Sequence, residues 1–101
     1  MLGRYTVKDL LLEKYGDGIR HLARRHGVVQ VRVFGSRTRG TATESSDLDL
    51  LVGLKPERDL LDLVEFKLDL EELLGCEVDV VTEGGLSPYL RDRILKEAQS
   101  L

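Results

Sequence analysis

The chain has little of what marks a secreted, membrane or nucleic-acid-binding protein. It has one cysteine, Cys76, among 101 residues. No intrachain disulfide can form, so a reducing, cytoplasmic setting is expected. No apolar run approaches the ~20 residues needed to span a bilayer. The opening Met1-Leu2-Gly3-Arg4-Tyr5 has no long apolar stretch, so no secretion signal is expected. There is no basic excess: the formal net charge is -3. A broad electrostatic grip on nucleic acid needs a basic face, so direct nucleic-acid binding is not expected. An anion held at one point by a metal or by backbone amides remains compatible with that charge. Internal repeats, linkers and low-complexity stretches are absent too, so residues 1–101 read as a single domain.

What is there is a globular composition, 42% apolar and 33% charged. Residues 7–26 carry apolar side chains at helical spacing, with Thr6 as N-cap. Gly16 and Gly18 weaken the middle, giving one helix with a soft centre or two short ones. His21, Arg24, Arg25 and His26 read as charge at the negative end of the helix dipole. Residues 28–34 alternate as a strand, with Val29, Val31 and Val33 on one face. Residues 47–54 form a second strand, with Leu48, Leu50 and Val52 opposite Asp47, Asp49 and Leu51. A helix follows over 59–74, closed by Gly75. Its apolar arc is wider than a sheet-packed helix needs, which means either deep burial or a partner surface. Residues 76–82 form a third strand. Ser87-Pro88 caps a last helix reaching about Gln99, with Leu90, Ile94 and Leu95 inward. The order α-β-β-α-β-α is a small α/β domain.

The chemistry concentrates between the first two strands. Gly35-Ser36 stands where a strand ends and a helical turn could begin. Free backbone N–H groups at such a point bind anions, and glycine lets a phosphate approach. Asp47 and Asp49 are two apart on a strand, so both carboxylates share a face, roughly 7 Å apart at Cα. Aspartate is a poor strand former and like charges repel, so a hard cation such as Mg²⁺ is the natural compensation. On the third strand Glu77 and Asp79 share a face. If that strand neighbours the second, one of them completes the three carboxylates of a two-metal phosphoryl site. Pattern alone does not choose between them. Arg37 and Arg39 flank the site; a guanidinium at Arg39 suits a bidentate phosphate contact. Cys76 reads as a small buried residue, Tyr89 as packing, and Arg91-Asp92-Arg93 as a solvated helix face.

These residues carry a resemblance. Gly35-Ser36, ten residues, then Asp47-Leu48-Asp49 resembles the Gly-Ser…Asp-x-Asp signature of the polymerase β-like nucleotidyltransferase superfamily. Within it, the chain is similar to the minimal nucleotidyltransferase (MNT) domains. The run from Phe34 to Gly40, the run from Ser46 to Val52, Val78-Asp79-Val80-Val81 and the ending from Ser87 to Leu95 all match in order and spacing. The resemblance implies a small mixed β-sheet flanked by helices, ATP as substrate and two Mg²⁺ ions. It implies Asp47, Asp49 and Asp79 as metal ligands and catalytic residues, choosing Asp79 over Glu77. It implies that Gly35 and Ser36 hold the β- and γ-phosphates, with Arg39 beside them. It also implies an antitoxin role: transfer of AMP to a tyrosine of a partner HEPN-domain toxin, within a hetero-oligomer.

Two other functions compete with that expectation. One is a module that neutralises its partner by contact alone. The other is a nucleotidyltransferase acting on a small molecule such as an aminoglycoside, completed by dimerisation. A domain this small leaves little substance for an acceptor pocket, which favours an acceptor supplied by a second protein.

Overall fold

A computed structural model describes residues 10–35, 38 and 47–101. Thr6 and the first turn expected after it lie outside the described residues. The first helix, α1 (Leu10–Arg25), runs unbroken through both glycines. Packing outweighs propensity here: a Cβ on Gly18 would stand 3.0 Å from Leu73 of the neighbouring helix. Glycine lets the two helices close. Leu12, Ile19 and Ala23 are buried along one face, and Gly27, at φ +73°, turns the chain out of the helix.

Strand β1 (Val28–Phe34) pairs antiparallel with β2 (Leu48–Leu54), which pairs parallel with β3 (Val78–Thr82). Helix α2 (Leu60–Leu74) links β2 to β3. It opens on a reciprocal capping box between Asp59 and Asp62 and closes on Gly75 in the left-handed conformation, as the terminal residues dictate. After β3 come a single 3₁₀ turn (Glu83–Gly85) and α3 (Pro88–Glu97), capped by Ser87 with Pro88 in its first turn. A two-residue strand, β4 (Gln99–Ser100), then pairs antiparallel with β1. The mixed sheet has the order β3-β2-β1-β4.

One face of the sheet packs under α1 and α2. Val33, Leu48, Leu50 and Val78 meet Leu12, Ile19, Phe66 and Leu70 there, all completely buried. Strand alternation sends Asp49, Leu51 and Asp79 to the other face. Leu51 and Ile94 of α3 are buried outside that main core.

Several expectations need correction. Val29 is 62% exposed and does not share the face of Val33, which is completely buried. A bulge between Val28 and Gln30 inserts an extra residue, so Val28, not Val29, joins the core with Val33. The last helix stops at Glu97, and Gln99 belongs to β4. On α3 only Ile94 is buried; Leu90 is exposed, and Tyr89, at 95% exposure, packs against nothing. His26 is not a solvated helix-end charge. It is buried, with Nε2 2.6 Å from Asp69 Oδ2 and its ring against Phe66. The arc of α2 is only partly core: Leu63, Phe66, Leu70 and Leu74 are buried, whereas Leu60, Leu61, Val64 and Leu68 face outward. Cys76 is only partly buried. Among the described residues, no helix is long and apolar enough to cross a membrane.

Candidate functional site

The parallel register of β2 and β3 sets Asp49 directly beside Asp79. Neighbouring strands lie about 4.8 Å apart, so two carboxylates stand side by side on the face away from α1 and α2. On the other side of Asp49 lies Phe34, its partner across β1. Asp79 is thus the acid of this strand in register with Asp49, whereas Glu77 precedes β3 and its carbonyl accepts the N–H of Leu48.

Gly35 follows immediately, at φ +82°, a conformation that side chains resist. It also presses on Asp49: a Cβ here would collide with Asp49 Oδ2. Two independent constraints therefore demand glycine. The Gly35 carbonyl accepts the N–H of Thr38 at 3.1 Å and its hydroxyl at 2.7 Å, closing a turn in which Thr38 is helical. The same hydroxyl lies 3.2 Å from the Glu97 carboxylate at the end of α3. Thus the Gly35 turn, the acid pair and the last helix are tied together. Thr38 and Glu97 carry no chemical motif, and their pairing was invisible without the fold. Ser36, Arg37 and Arg39 lie outside the described residues.

Asp47 is exposed one residue before β2. Among the described residues no three His, Cys, Asp or Glu side chains converge, so the structure gathers Asp49 with Asp79 and does not bring Asp47 into a three-membered cluster with them. The donor set nevertheless fits a divalent cation. Paired carboxylate oxygens are what Mg²⁺ takes, and a cation relieves two like charges held in register.

A cavity of about 410 Å³ opens over the acids. Asp49, Asp79, Lys67 and Ser87 give it polar lining, and Phe34, Leu86, Leu90 and Ile94 apolar lining. Lys67 was missed by sequence reasoning because it reads as one more surface charge of α2. Its Nζ pairs with Glu71 at 2.7 Å, and Glu71 also accepts the N–H of Val78 at the start of β3. Glu71 and, more weakly, Asp79 and Glu77 push the Lys67 ammonium upward. Lys67 and the Val78 N–H hold the Glu71 carboxyl below its usual range. On the far side, Glu83 accepts from Arg32 at 2.8 Å, and its carbonyl accepts from Arg91 at 2.9 Å. Arg91 is therefore a tie between α3 and the 3₁₀ turn, not simply a solvated charge. A larger cavity, about 480 Å³, lies between the end of α1 and α2. Four of its polar side chains are engaged with one another, as His26–Asp69 and Arg58–Asp62, so the acid pair is the stronger candidate for chemistry.

Residues 18–101 match the family model described as a nucleotidyltransferase domain. A Methanocaldococcus jannaschii protein provisionally named as a protein adenylyltransferase is 50% identical over 74 residues, covering 73% of this chain and 80% of its own length. The protein adenylyltransferase MntA of Thermococcus cleftensis is 40% identical over 78 residues, covering 77% and 79%. A solved structure provisionally described as a minimal nucleotidyltransferase superposes with a TM-score of 0.75 at 53% identity, over 86% of this chain and 89% of its own. A toxin–antitoxin structure with AMP-PNP shares the fold at a TM-score of 0.70 and 24% identity, over 83% and 69%. With its acid pair in register and glycine packed against one acid, the chain belongs to the nucleotidyltransferase domain family, as an enzyme of the minimal nucleotidyltransferase type.

Proposed function

We propose that the protein transfers AMP from ATP to a hydroxyl, that of a tyrosine, on a partner HEPN-domain toxin, and so acts as its cytoplasmic antitoxin. The observation that carries this reading is the register of Asp49 beside Asp79 with Gly35 seated on Asp49. The adenylyltransferase relatives support it, one of them bearing the name MntA. Fold neighbours that include an MNT antitoxin in complex with a tri-AMPylated HEPN toxin are consistent with it.

In this reading Asp47, Asp49 and Asp79 would hold two Mg²⁺ ions. When bound, the metal supplies charge neutralisation on the triphosphate and on the leaving pyrophosphate. Gly35 and Ser36 offer backbone N–H groups and a hydroxyl to the β- and γ-phosphates, and Arg39 adds a guanidinium. Asp79 accepts the proton of the attacking hydroxyl. The new bond joins that oxygen to the α-phosphorus. The bond from the α-phosphorus to the bridging oxygen breaks, and pyrophosphate leaves with its electrons. The partner supplies the acceptor, so the working form is a hetero-oligomer.

The test mixes the protein with ATP, GTP, CTP or UTP, Mg²⁺ and the neighbouring gene's product, then reads intact mass. One or more AMP units on that product, absent with Asp47→Asn, is the expected result. A stable complex with no adduct from any nucleotide would leave neutralisation by contact. An adduct on an aminoglycoside without any partner would leave the small-molecule enzyme.

A further inference from the structure

Helix α2 carries two apolar stripes, and the fold uses one of them. Leu63, Phe66, Leu70 and Leu74 share one side of the helix and are buried in the main core. Leu60, Leu61, Val64 and Leu68 fall on a different side, within about 100° of one another at 3.6 residues per turn. Their exposures run from 49% to 76%. Leu60, Val64 and Leu68 follow one another at i, i+4 and i+8, a ridge about 12 Å long. A row spaced in this way fits the groove of a second helix. Together the four expose on the order of 400 Å² of apolar surface, a size that on a single domain is often functional.

The surroundings of this ridge narrow its occupant. Glu65 is four residues after Leu61 and Glu72 four after Leu68, so each acid borders the ridge. Both are exposed, and neither is in an ion pair among the described residues. Asp62, Asp69 and Glu71 are already paired, with Arg58, His26 and Lys67. From Lys55 to Leu74 acids outnumber bases seven to three. A second copy laid on this face would bring acid against acid, which disfavours the pairing. The ridge is also only about half of the ~800 Å² that each side of a stable interface buries, so its occupant needs further contact on this protein. The acid cavity adjoins it: Lys67, three residues after Val64 and so its neighbour on the helix surface, also lines that cavity.

We propose that Leu60, Leu61, Val64 and Leu68 form a docking ridge for the acceptor protein, which lays on it an amphipathic helix whose apolar stripe is flanked by Lys or Arg. That the partner is the acceptor rests on the adenylyl-transfer reading above. The ridge takes no part in the chemistry. It holds the partner at the edge of α2 from which Lys67 reaches the acid cavity, and so it sets affinity for the acceptor and not for ATP.

The experiment uses the full chain and the neighbouring gene's product. Calorimetry gives Kd for the complex, and transfer from ATP with Mg²⁺ gives KM and kcat. Both are measured for the wild type, for Leu61→Gln with Leu68→Gln, and for Glu65→Lys with Glu72→Lys, each with a thermal melt. Leu61→Gln with Leu68→Gln should raise Kd and KM for the acceptor on the order of tenfold, with kcat, KM for ATP and Tm unchanged. Glu65→Lys with Glu72→Lys should also raise Kd, through slower association. An unchanged Kd in the folded leucine variant overturns the docking ridge, and an unchanged Kd in the charge variant overturns the basic partner. A rise in KM for ATP overturns the proposal too, as does a wild-type homodimer in sedimentation that the leucine variant splits, because a second copy would then occupy the ridge. Should the leucine variant melt early, Leu61→Ala with Leu68→Ala must give the same acceptor-only loss, and its failure to do so overturns the proposal. A gene product that does not bind the wild type overturns it outright. Binding without transfer in the wild type would sink the adenylyl-transfer reading instead, and Kd alone would then decide the ridge.

Discussion

Gly35→Ala separates the two reasons for glycine at the end of β1. The conformational reason is φ +82°; holding an L-residue there costs about 1–2 kcal/mol. For a domain of this size that lowers Tm by about 5–15 °C. The second reason is contact: the new methyl would collide with Asp49 Oδ2, and the carboxylate must retreat by about 1 Å to restore ordinary van der Waals separation. A displacement of that size in a reacting constellation costs on the order of 10²-fold in rate. Gly75→Ala is the matched control. Gly75 has φ +72°, and nothing lies within 4 Å of where its Cβ would be. Both variants should therefore lose similar stability, while only Gly35→Ala loses transfer. The assay is kcat/KM for transfer to the partner, at a temperature well below both melting points. If Gly35→Ala kept activity within twofold of Gly75→Ala, the contact between Gly35 and Asp49 would have no functional weight, and the geometric case for the site would fail.

The other predictions concern the scaffold. Phe66→Ala removes the largest fully buried side chain, and should cost about 3–5 kcal/mol, read as a loss of more than about 10 °C in Tm; a smaller loss would mean that α2 is not seated on the sheet as described. Leu61→Gln with Leu68→Gln should leave Tm nearly unchanged, since both residues face outward; a large drop would place that face in the core after all. The pH profile follows from two carboxyls and one amine. The Asp59 N–H and then Arg58 lower Asp62 from its ordinary 3.8, and Lys67 and then the Val78 N–H lower Glu71 from 4.5. Their stabilisation is complete above those values and is lost as pH falls through the lower folded-state ones. Lys67 is raised above 10.5, chiefly by Glu71, so its share is complete below 10.5 and is lost as pH rises beyond it. Tm should fall in acid below about pH 4.5, and Glu71→Gln should flatten part of that acid limb. An unaltered limb in Glu71→Gln would remove Glu71 from the account.

Strands and helices were legible where one residue type settles a local question. Asp59 and Gly75 bound α2, Ser87-Pro88 starts α3, and the Leu48/Leu50 alternation aims Asp49 at the opposite face. What stayed hidden depends on neighbours remote in the chain. The bulge at Val28/Gln30 appears only when β1 is laid against β2. β4 is two polar residues with no period to detect, and it exists because β1 has a free edge beside it. His26 reads as a helix-end charge until Asp69, 43 residues away, comes to 2.6 Å. Gly16 and Gly18 argue for a break by propensity, and the approach of Leu73 explains why α1 accepts Gly18.

The candidate site divides along the same line. Its acids were readable because aspartate is out of place on a strand, so each one demanded a reason. Its surroundings were not, because Lys67, Leu90, Thr38 and Glu97 are unremarkable residues for helices and turns: Lys67 and Leu90 join the acids only in the folded cavity, and Thr38 meets Glu97 only at the Gly35 turn; the acids themselves meet through the parallel pairing of β2 with β3. That pairing needs a crossover helix, and α2 is the segment that supplies it. One helix thus performs two tasks: it carries the chain back so that Asp79 lands beside Asp49, and through Glu71, which holds both Lys67 and the first N–H of β3, it fixes where Asp79 begins. A change at Glu71 should accordingly act on the acid pair through Lys67 and the first N–H of β3.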